Sequence, residues 1–291
     1  MAEYEFETWD VFTDRRFGGN PLAVFPHGQG LSDGDMQALA REFNLSETTF
    51  VLPPADPAHT AQVRIFTPMM EMPFAGHPNV GTALALAARM ATRPASLAFE
   101  EVAGLVRIAL DYDGEQPLAT VAAPKPLNVG AGLPPAVAAA CVSLVPGDIV
   151  MHHHAPLVAG VGADFAIAEV SPDALRRAVP DSSGFRVAAQ HVGKAGEALH
   201  IYARDGDTIR ARMFAPLDGI LEDPATGSAN AALAALLLSL DTRDEGSWTI
   251  HQGVEMGRPS LLHASARRAP DGIRATVGGG AVPVMRGVVT V

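Results

Sequence analysis

The sequence predicts an α+β protein of two similar domains, each a curved, barrel-like mixed β-sheet wrapped around a central helix. The main observation is an internal repeat: Arg64–Pro68 (RIFTP) recurs as Arg212–Pro216 (RMFAP), and residues 77–83 (HPNVGTA) recur as residues 223–229 (DPATGSA). Each repeat leads into an Ala/Leu-rich helix that is apolar on most sides, and such a helix must be enclosed by its domain. Many short strand patterns accompany both helices, so we expect two domains related by a pseudo-twofold axis.

The elements of the first half follow in order. Residues 4–12 alternate apolar and polar side chains, which predicts a strand, and a Gly/Pro turn separates it from a second strand at residues 22–25. Ser32 and Asp35 have the spacing of a helix cap, and helical spacing of apolar residues continues to Asn44. We then expect strands at residues 48–52 and 64–67, a buried helix that ends near Met90, and a strand–turn–strand over residues 97–111.

The second half begins at a candidate linker, the Pro- and Gly-rich residues 123–135. This linker predicts domains at residues 1–124 and 125–291, with the last strand free to return to the first domain. We expect a helix near residues 171–179 with Ser171 as its cap, strands at 186–192, 199–203 and 209–214, a second apolar helix at 227–240, and short strands to the end with a break at 278–280.

Composition excludes several function classes. The chain has 21 Lys and Arg against 32 Asp and Glu, a net charge of −11, and no basic run, so we expect no nucleic-acid partner. The N-terminus lacks the pattern of a signal peptide, and the longest apolar run is too short to span a bilayer, so we expect a cytoplasmic protein with no membrane partner. The single cysteine, Cys141, cannot form an internal disulfide.

Motifs for cofactors are missing from the sequence. The three adjacent histidines His152, His153 and His154 cannot converge on one ion from a regular strand or helix, and no zinc motif accompanies them. No glycine-rich phosphate loop follows a strand and opens a helix, which leaves ATP and nicotinamide cofactors unsupported. We therefore expect neither a metal nor a cofactor.

The repeated motif lies at the start of a helix in each copy, where free N–H groups and the helix dipole favour an anion. Gly227 would let a ligand approach the backbone closely. Three side chains near these helix starts can transfer or hold a proton, Glu47, His77 and Asp223. Each also has a structural interpretation: a loop acid, a hydrogen-bonded turn histidine, and an acid favoured by the helix dipole. Ser228 is a candidate ligand contact or only a first-turn residue.

Five sequence blocks resemble the phenazine-biosynthesis PhzF-like family. They run in order along nearly the whole chain: residues 10–21, residues 44–50 (NLSETTF), residues 64–68 with 76–78 (GHP), residues 222–229 (EDPATGSA) and residues 252–260 (QGVEMGRPS). The resemblance implies a diaminopimelate-epimerase-like fold, which agrees with the internal repeat. It also implies a cofactor-independent isomerase that acts as a homodimer on a small carboxylate.

The resemblance further implies roles for single residues. In the phenazine enzyme a proton moves from C3 to C1 of trans-2,3-dihydro-3-hydroxyanthranilate, and tautomerisation gives a ketone. The family's general acid/base glutamate falls on Glu47, its histidine on His77, its aspartate on Asp223 and its serine on Ser228. Gly76 is then the neighbouring backbone contact.

Two departures and two alternatives accompany this hypothesis. Related epimerases use one cysteine on each side of the substrate, whereas the helix starts here carry none. Asn79 replaces a common threonine, and we expect it to cap its helix. The first alternative is a non-catalytic carboxylate-binding or scaffold protein. The second is a one-base amino-acid epimerase or racemase, for which His77 or Asp223 would have to serve as the second acid/base.

Overall fold

The structure is a computed structural model that describes all residues from Met1 to Val291. It contains eighteen strands and six α-helices. The strands are β1 (Glu3–Val11), β2 (Asn20–Phe25), β3 (Glu47–Leu52), β4 (Ala61–Phe66), β5 (Glu71–Met72), β6 (Ser96–Glu101), β7 (Gly104–Asp111), β8 (Leu118–Ala122), β9 (Asn128–Gly132), β10 (Leu157–Gly160), β11 (Asp164–Glu169), β12 (Leu199–Asp205), β13 (Thr208–Ala215), β14 (Ile220–Asp223), β15 (Glu245–Gln252), β16 (Ser260–Ala269), β17 (Gly272–Gly279) and β18 (Ala281–Thr290). The helices are α1 (Asp33–Phe43), α2 (Gly76–Arg89), α3 (Pro135–Cys141), α4 (Pro172–Arg177), α5 (Ser182–Val192) and α6 (Gly227–Ser239).

The chain divides into two compact units. The first unit contains residues 1–122 together with residues 278–291, and the second contains residues 123–277. The last strand, β18, therefore belongs to the first unit, where it pairs antiparallel with β1. None of the helices combines the length and the apolar character that a bilayer-spanning segment requires.

The two units have the same strand topology. In the first unit, β1–β2 is antiparallel, β2–β3 parallel, β3–β4 and β4–β5 antiparallel, β4–β6 parallel and β6–β7 antiparallel. In the second unit, the strands β10 to β16 repeat this series of pairings in the same order. The mixed sheets and the internal repeat confirm the expected fold class.

Each unit encloses one apolar helix. In the first unit α2 contacts β1, β2, β3, β7, β8 and β18, and in the second α6 contacts β10, β11, β15 and β16. All residues of α6 except Ser228 and Ser239 are buried. Such a helix is stable only inside a sheet, since its apolar surface points in every direction.

Local signals explain the start and end of α1. The Ser32 hydroxyl accepts from the Asp35 N–H at 3.2 Å, and the Asp35 carboxylate accepts from the Ser32 N–H at 3.1 Å. This is a complete capping box. Asn44 ends the helix in the left-handed conformation with φ of 50°. The predicted helix is confirmed at both ends.

Two sequence expectations are wrong. Residues 186–192 lie in helix α5 rather than in a strand, because the Asp181 carboxylate caps residues that bury Gly184, Phe185 and Ala188 at helical spacing. Gly184 fits closely, since a Cβ there would lie 2.6 Å from the Ala140 carbonyl carbon. The expected linker at residues 123–135 contains β9, which pairs with β10 in the second unit.

Candidate functional site

In the first unit the structure brings Glu47 and His77 together. Glu47 is the first residue of β3, and His77 is the second residue of α2. Nδ1 of His77 lies 3.3 Å from Oε2 of Glu47. The Glu47 side chain keeps 18% of its surface exposed and the His77 side chain 6%. A half-buried carboxylate next to an imidazole is an arrangement suited to proton transfer.

Burial keeps the His77 ring neutral. Desolvation lowers the pKa of His77 to about 3, although a hydrogen bond with the Pro21 backbone opposes this shift. The contact with Glu47 has the distance of an ion pair, but near pH 7 the imidazole ring is uncharged. Nε2 of His77 is buried and has no hydrogen-bond partner.

Two contacts set the position of α2 against strands β1, β2 and β3. The hydroxyl groups of Thr49 and Thr82 lie 2.8 Å apart in the core, one on each element. Gly81 allows the helix to approach the sheet, because a Cβ at this position would lie 2.6 Å from side-chain carbons of Leu22 and Val11. The pairing of Glu47 with His77 is therefore supported by rigid elements rather than by a loop.

The start of α2 differs from the expectation for Asn79. The helix begins at Gly76, with Ala75 as an N-cap that makes no side-chain hydrogen bond. Asn79 lies inside the first turn, where its Nδ2 donates to the Ala75 carbonyl at 3.0 Å. The prediction that Asn79 caps the helix is wrong. Gly76 is buried in this first turn, directly before His77.

Sequence reasoning missed a second carboxyl group in the first unit. Glu101 ends β6, and both of its carboxyl oxygens are buried. Burial raises the pKa of Glu101 to about 8, and the nearby Asn79 amide opposes this shift. Glu101 is therefore mostly uncharged at pH 7. Its position at a hairpin tip, in the sequence Glu100–Glu101, is typical of a solvated turn and offered no signal.

In the second unit the structure groups Asp223, Thr226 and the start of α6. Asp223 is the buried last residue of β14, and Thr226 is the N-cap of α6. The Thr226 hydroxyl donates to Oδ2 of Asp223 at 2.5 Å. Gly227 and Ser228 form the first turn of the helix, and Ser228 is partly exposed. This first turn has the N–H groups of an anion site.

The repeat also contains an Arg–Glu pair that the sequence analysis did not identify. In the first unit Arg64 donates from Nε and Nη2 to the Glu71 carboxylate, both at 2.7 Å. In the second unit Arg212 binds Glu222 in the same way, both at 2.8 Å. Each pair joins the long strand of the repeat to the short strand before the motif helix. It thereby fixes the segment that carries the helix start.

The position of the second repeat that is equivalent to Glu47 holds a different residue. Thr48 pairs with Phe66 in the first unit, and Leu199 pairs with Phe214, the repeat counterpart of Phe66, in the second. The residue before Leu199 is Ala198, so the second copy has alanine where the first has Glu47. At this repeated position the molecule has one carboxylate rather than two.

The other chemically active residues have structural surroundings. Cys141 is buried at the end of α3, and burial raises the pKa of its thiol to about 12. His153 Nδ1 lies 2.7 Å from the Glu169 carboxylate, and His154 Nε2 lies 2.8 Å from the Tyr202 hydroxyl. No group of three or more His, Cys, Asp or Glu side chains is arranged to hold a metal ion.

Comparisons with known proteins connect the chain to one family. A family model described as "Phenazine biosynthesis-like protein" matches residues 9–287. An uncharacterised isomerase of Mesorhizobium japonicum is 40% identical over 277 residues, which are 90% of this chain and 90% of that protein. A trans-2,3-dihydro-3-hydroxyanthranilate isomerase of Pseudomonas chlororaphis is 37% identical over 286 residues, 96% of this chain and 97% of that protein.

The fold has a close counterpart among solved structures. A phenazine biosynthesis protein of the PhzF family from Bacillus anthracis matches with a TM-score of 0.90 at 24% identity, covering 100% of both chains. At this identity the match concerns the fold alone, and it agrees with the two similar units described above.

Proposed function

This chain belongs to the phenazine biosynthesis-like protein family and is an isomerase, and we propose that it moves a proton between two carbon atoms of a small amino-acid-like carboxylate without a cofactor. The proposed substrate class follows relatives named as trans-2,3-dihydro-3-hydroxyanthranilate isomerases, which are 36–37% identical to it. A cyclic carboxylate of that kind is the first compound to test.

The observation that carries the proposal is Glu47 beside the neutral ring of His77, at 3.3 Å. In the proposed reaction the Glu47 carboxylate takes the proton from C3, and the electron pair of that bond moves into the conjugated system. The resulting carboxylic acid returns the proton to C1, and tautomerisation of the enol gives the ketone. The same oxygen atoms serve as base and acid, so no net proton is consumed.

The remaining site residues are proposed to bind and orient the substrate. The first turn that contains Gly227 supplies backbone N–H groups for its carboxylate, Ser228 adds a hydroxyl donor, and Gly76 supplies a backbone contact next to His77. Asp223 attracts the substrate ammonium by its charge. His77 is neutral by virtue of its low pKa, so it can accept or donate a hydrogen bond without adding a charge.

The epimerase alternative requires a second acid/base besides Glu47. The position of the second unit that is equivalent to Glu47 holds Ala198 and supplies none, so this role would fall to His77, whose ring is neutral, or to Asp223. The binding-protein alternative has no need of a proton-transfer group at Glu47. We also propose that the protein is a homodimer, on the basis of the family resemblance, and that it is cytoplasmic, on the basis of the sequence. Light scattering measures the oligomeric state.

Proton NMR in D2O tests the proposal directly. Wild type, Glu47→Gln and Glu42→Gln are each incubated with trans-2,3-dihydro-3-hydroxyanthranilate and a panel of amino-acid-like carboxylates. Glu42 is an exposed residue of α1, so its variant is a matched control for the loss of one carboxylate. We expect conversion, with deuterium entering the product, in wild type and Glu42→Gln but not in Glu47→Gln.

The other outcomes separate the alternatives. Equal turnover in wild type and Glu47→Gln would remove Glu47 from the mechanism. Exchange at the α-carbon with loss of optical activity, and no double-bond shift, would identify an epimerase. Binding without any exchange would favour the carboxylate-binding protein.

A further inference from the structure

The second unit contains a chain of buried polar side chains that ends at Asp223. His200, Asn230 and Gln252 are fully buried, and Thr226 and Asp223 are nearly so. His200 Nε2 lies 3.1 Å from Asn230 Oδ1, and Asn230 Nδ2 lies 2.7 Å from Gln252 Oε1. Gln252 Nε2 lies 3.0 Å from Thr226 Oγ1, which lies 2.5 Å from Asp223 Oδ2.

Backbone contacts determine the orientation of both amides. Asn230 Nδ2 also donates to the Thr226 carbonyl at 3.0 Å, and Gln252 Nε2 also donates to the Asp223 carbonyl at 2.8 Å. A carbonyl oxygen only accepts, so each of these amide nitrogens is correctly placed. Both hydrogens of each NH2 group are then used, and the Gln252 oxygen also accepts from the Thr226 N–H.

These orientations give every link of the chain one direction. Asn230 Oδ1 only accepts, so the proton of His200 lies on Nε2. Asn230 then donates to Gln252, and Gln252 donates to the Thr226 oxygen. The oxygen of the Thr226 hydroxyl accepts from Gln252, and its single hydrogen is donated to Asp223. Hydrogen bonds aligned in this way polarise one another, and the last one acts on a carboxylate.

We propose that Gln252 and Thr226 are positioning residues for Asp223, as the last links of a directed hydrogen-bond chain that begins at His200. The inference rests on the proposed function, because only a working Asp223 requires a fixed orientation. The two residues hold the carboxylate oxygen and also the backbone of the turn between Asp223 and Thr226. The orientation of the Asp223 carboxylate at the start of α6 is thereby fixed.

The first unit contains only part of this chain. Asn79 Nδ2 donates to the Ala75 carbonyl at 3.0 Å, as Asn230 Nδ2 does to the Thr226 carbonyl, so this contact holds the first turn of the helix in both units. The N-cap is Ala75 in the first unit and Thr226 in the second. Only the second unit therefore has a hydroxyl group at this position, and that hydroxyl continues the chain to the Asp223 carboxylate.

Substitutions at the two last links test the proposal through kcat and KM. Thr226→Val removes the hydroxyl, Thr226→Ser keeps it, and Gln252→Met removes the amide at similar volume. Thr242→Val, at an exposed threonine of the same unit, is the matched control. We expect kcat to fall about ten- to hundredfold in Thr226→Val, which removes the charge-assisted hydrogen bond to Asp223. We expect a similar fall in Gln252→Met, which removes the donor to the Thr226 hydroxyl and the Asp223 carbonyl. KM should change less than about threefold, because the Asp223 charge remains.

Nitrogen-15 NMR of the His200 ring gives a readout that needs no turnover. We expect the Nε2–H tautomer in wild type and near-wild-type turnover in Thr226→Ser and Thr242→Val. A His200 ring protonated on Nδ1 would overturn the directed chain. Wild-type kcat in Thr226→Val and Gln252→Met would overturn the positioning role. Failure of the proposed function gives a different result, because the wild-type protein itself would then show no turnover. That result would also overturn the positioning role.

Discussion

Nδ1 of His77 lies 3.3 Å from Oε2 of Glu47, and burial holds the pKa of that histidine at about 3. A second buried histidine, His200, has its pKa lowered to about 4 by desolvation, and the hydrogen bond that it donates to Asn230 opposes this shift. Both rings are neutral in the folded protein at pH values where the unfolded chain would protonate them. This difference makes the stability of the protein depend on pH.

We expect the free energy of unfolding to decrease as the pH is lowered from about 6.5 towards 4. In this window His77 and His200 bind protons in the unfolded chain but not in the folded one, because their folded pKa values are depressed, and Glu101 opposes them with one group against two. Urea unfolding at pH 7 and pH 5 measures the effect. His200→Gln retains a donor for Asn230 but cannot titrate, so its pH dependence should be flatter. A slope equal to that of wild type would show that His200 does not contribute.

Glu101→Gln should stabilise the protein above neutral pH. The folded pKa of Glu101, about 8, lies above the ordinary value of 4.5 for a glutamate. Stability from this group is therefore present below pH 4.5 and is lost as the pH rises through 8. Glutamine resembles the protonated acid, so the gain at pH 8 should be roughly 2–4 kcal/mol, with little difference at pH 4. Exposed Glu115→Gln is the control, and an equal gain there would contradict the assignment to burial.

Gly81→Ala should destabilise the first unit. The added methyl group would lie 2.6 Å from Leu22 and Val11 in the core, and such overpacking costs about 1–3 kcal/mol. Gly34→Ala is a matched helical substitution, because its nearest neighbour would be the Ser32 hydroxyl at 3.7 Å. There we expect unchanged or slightly greater stability. Thermal unfolding measures the stability of both variants, and similar melting temperatures would refute the steric argument.

Arg212→Lys should destabilise more than Arg64→Lys. Arg212 is buried and also donates from Nη1 to the carbonyls of Leu175 and Ala178, both at 2.9 Å. Lysine cannot replace the paired contacts to Glu222, so we expect a loss of roughly 2–4 kcal/mol. Arg64 is more exposed, and its loss should be smaller. Chemical denaturation compares the two, and the reverse order would contradict the role of burial.

Features that depend on neighbouring residues could be predicted from the sequence. The cap of α1 is an example, because Ser32 and Asp35 interact within one turn. The strand expected at residues 186–192 was wrong because its valines suit either element, whereas the close packing of Gly184 on Ala140 depends on a contact distant in the chain. Local pattern alone does not distinguish such cases.

In the candidate site, too, residues in local motifs could be predicted and residues placed by distant contacts could not. Glu47, His77 and Asp223 lie in recognisable motifs, so the sequence was sufficient to select them. Gln252 and Glu101 were missed because their relation to the helix starts depends on the register of parallel strands, which join residues far apart in the chain. Their residue types at strand ends carry no signal of their own.

The pairing of β18 with β1 along its whole length, from Glu3 with Thr290 to Val11 with Ala281, has a consequence for synthesis on the ribosome. The second unit is continuous in sequence and can form once residue 277 has left the exit tunnel. In the first unit β1 pairs with β2 on one side, but its other edge has no partner until residues 281–290 have also emerged. The second unit can therefore complete its fold before the first, although most of the first unit is synthesised earlier.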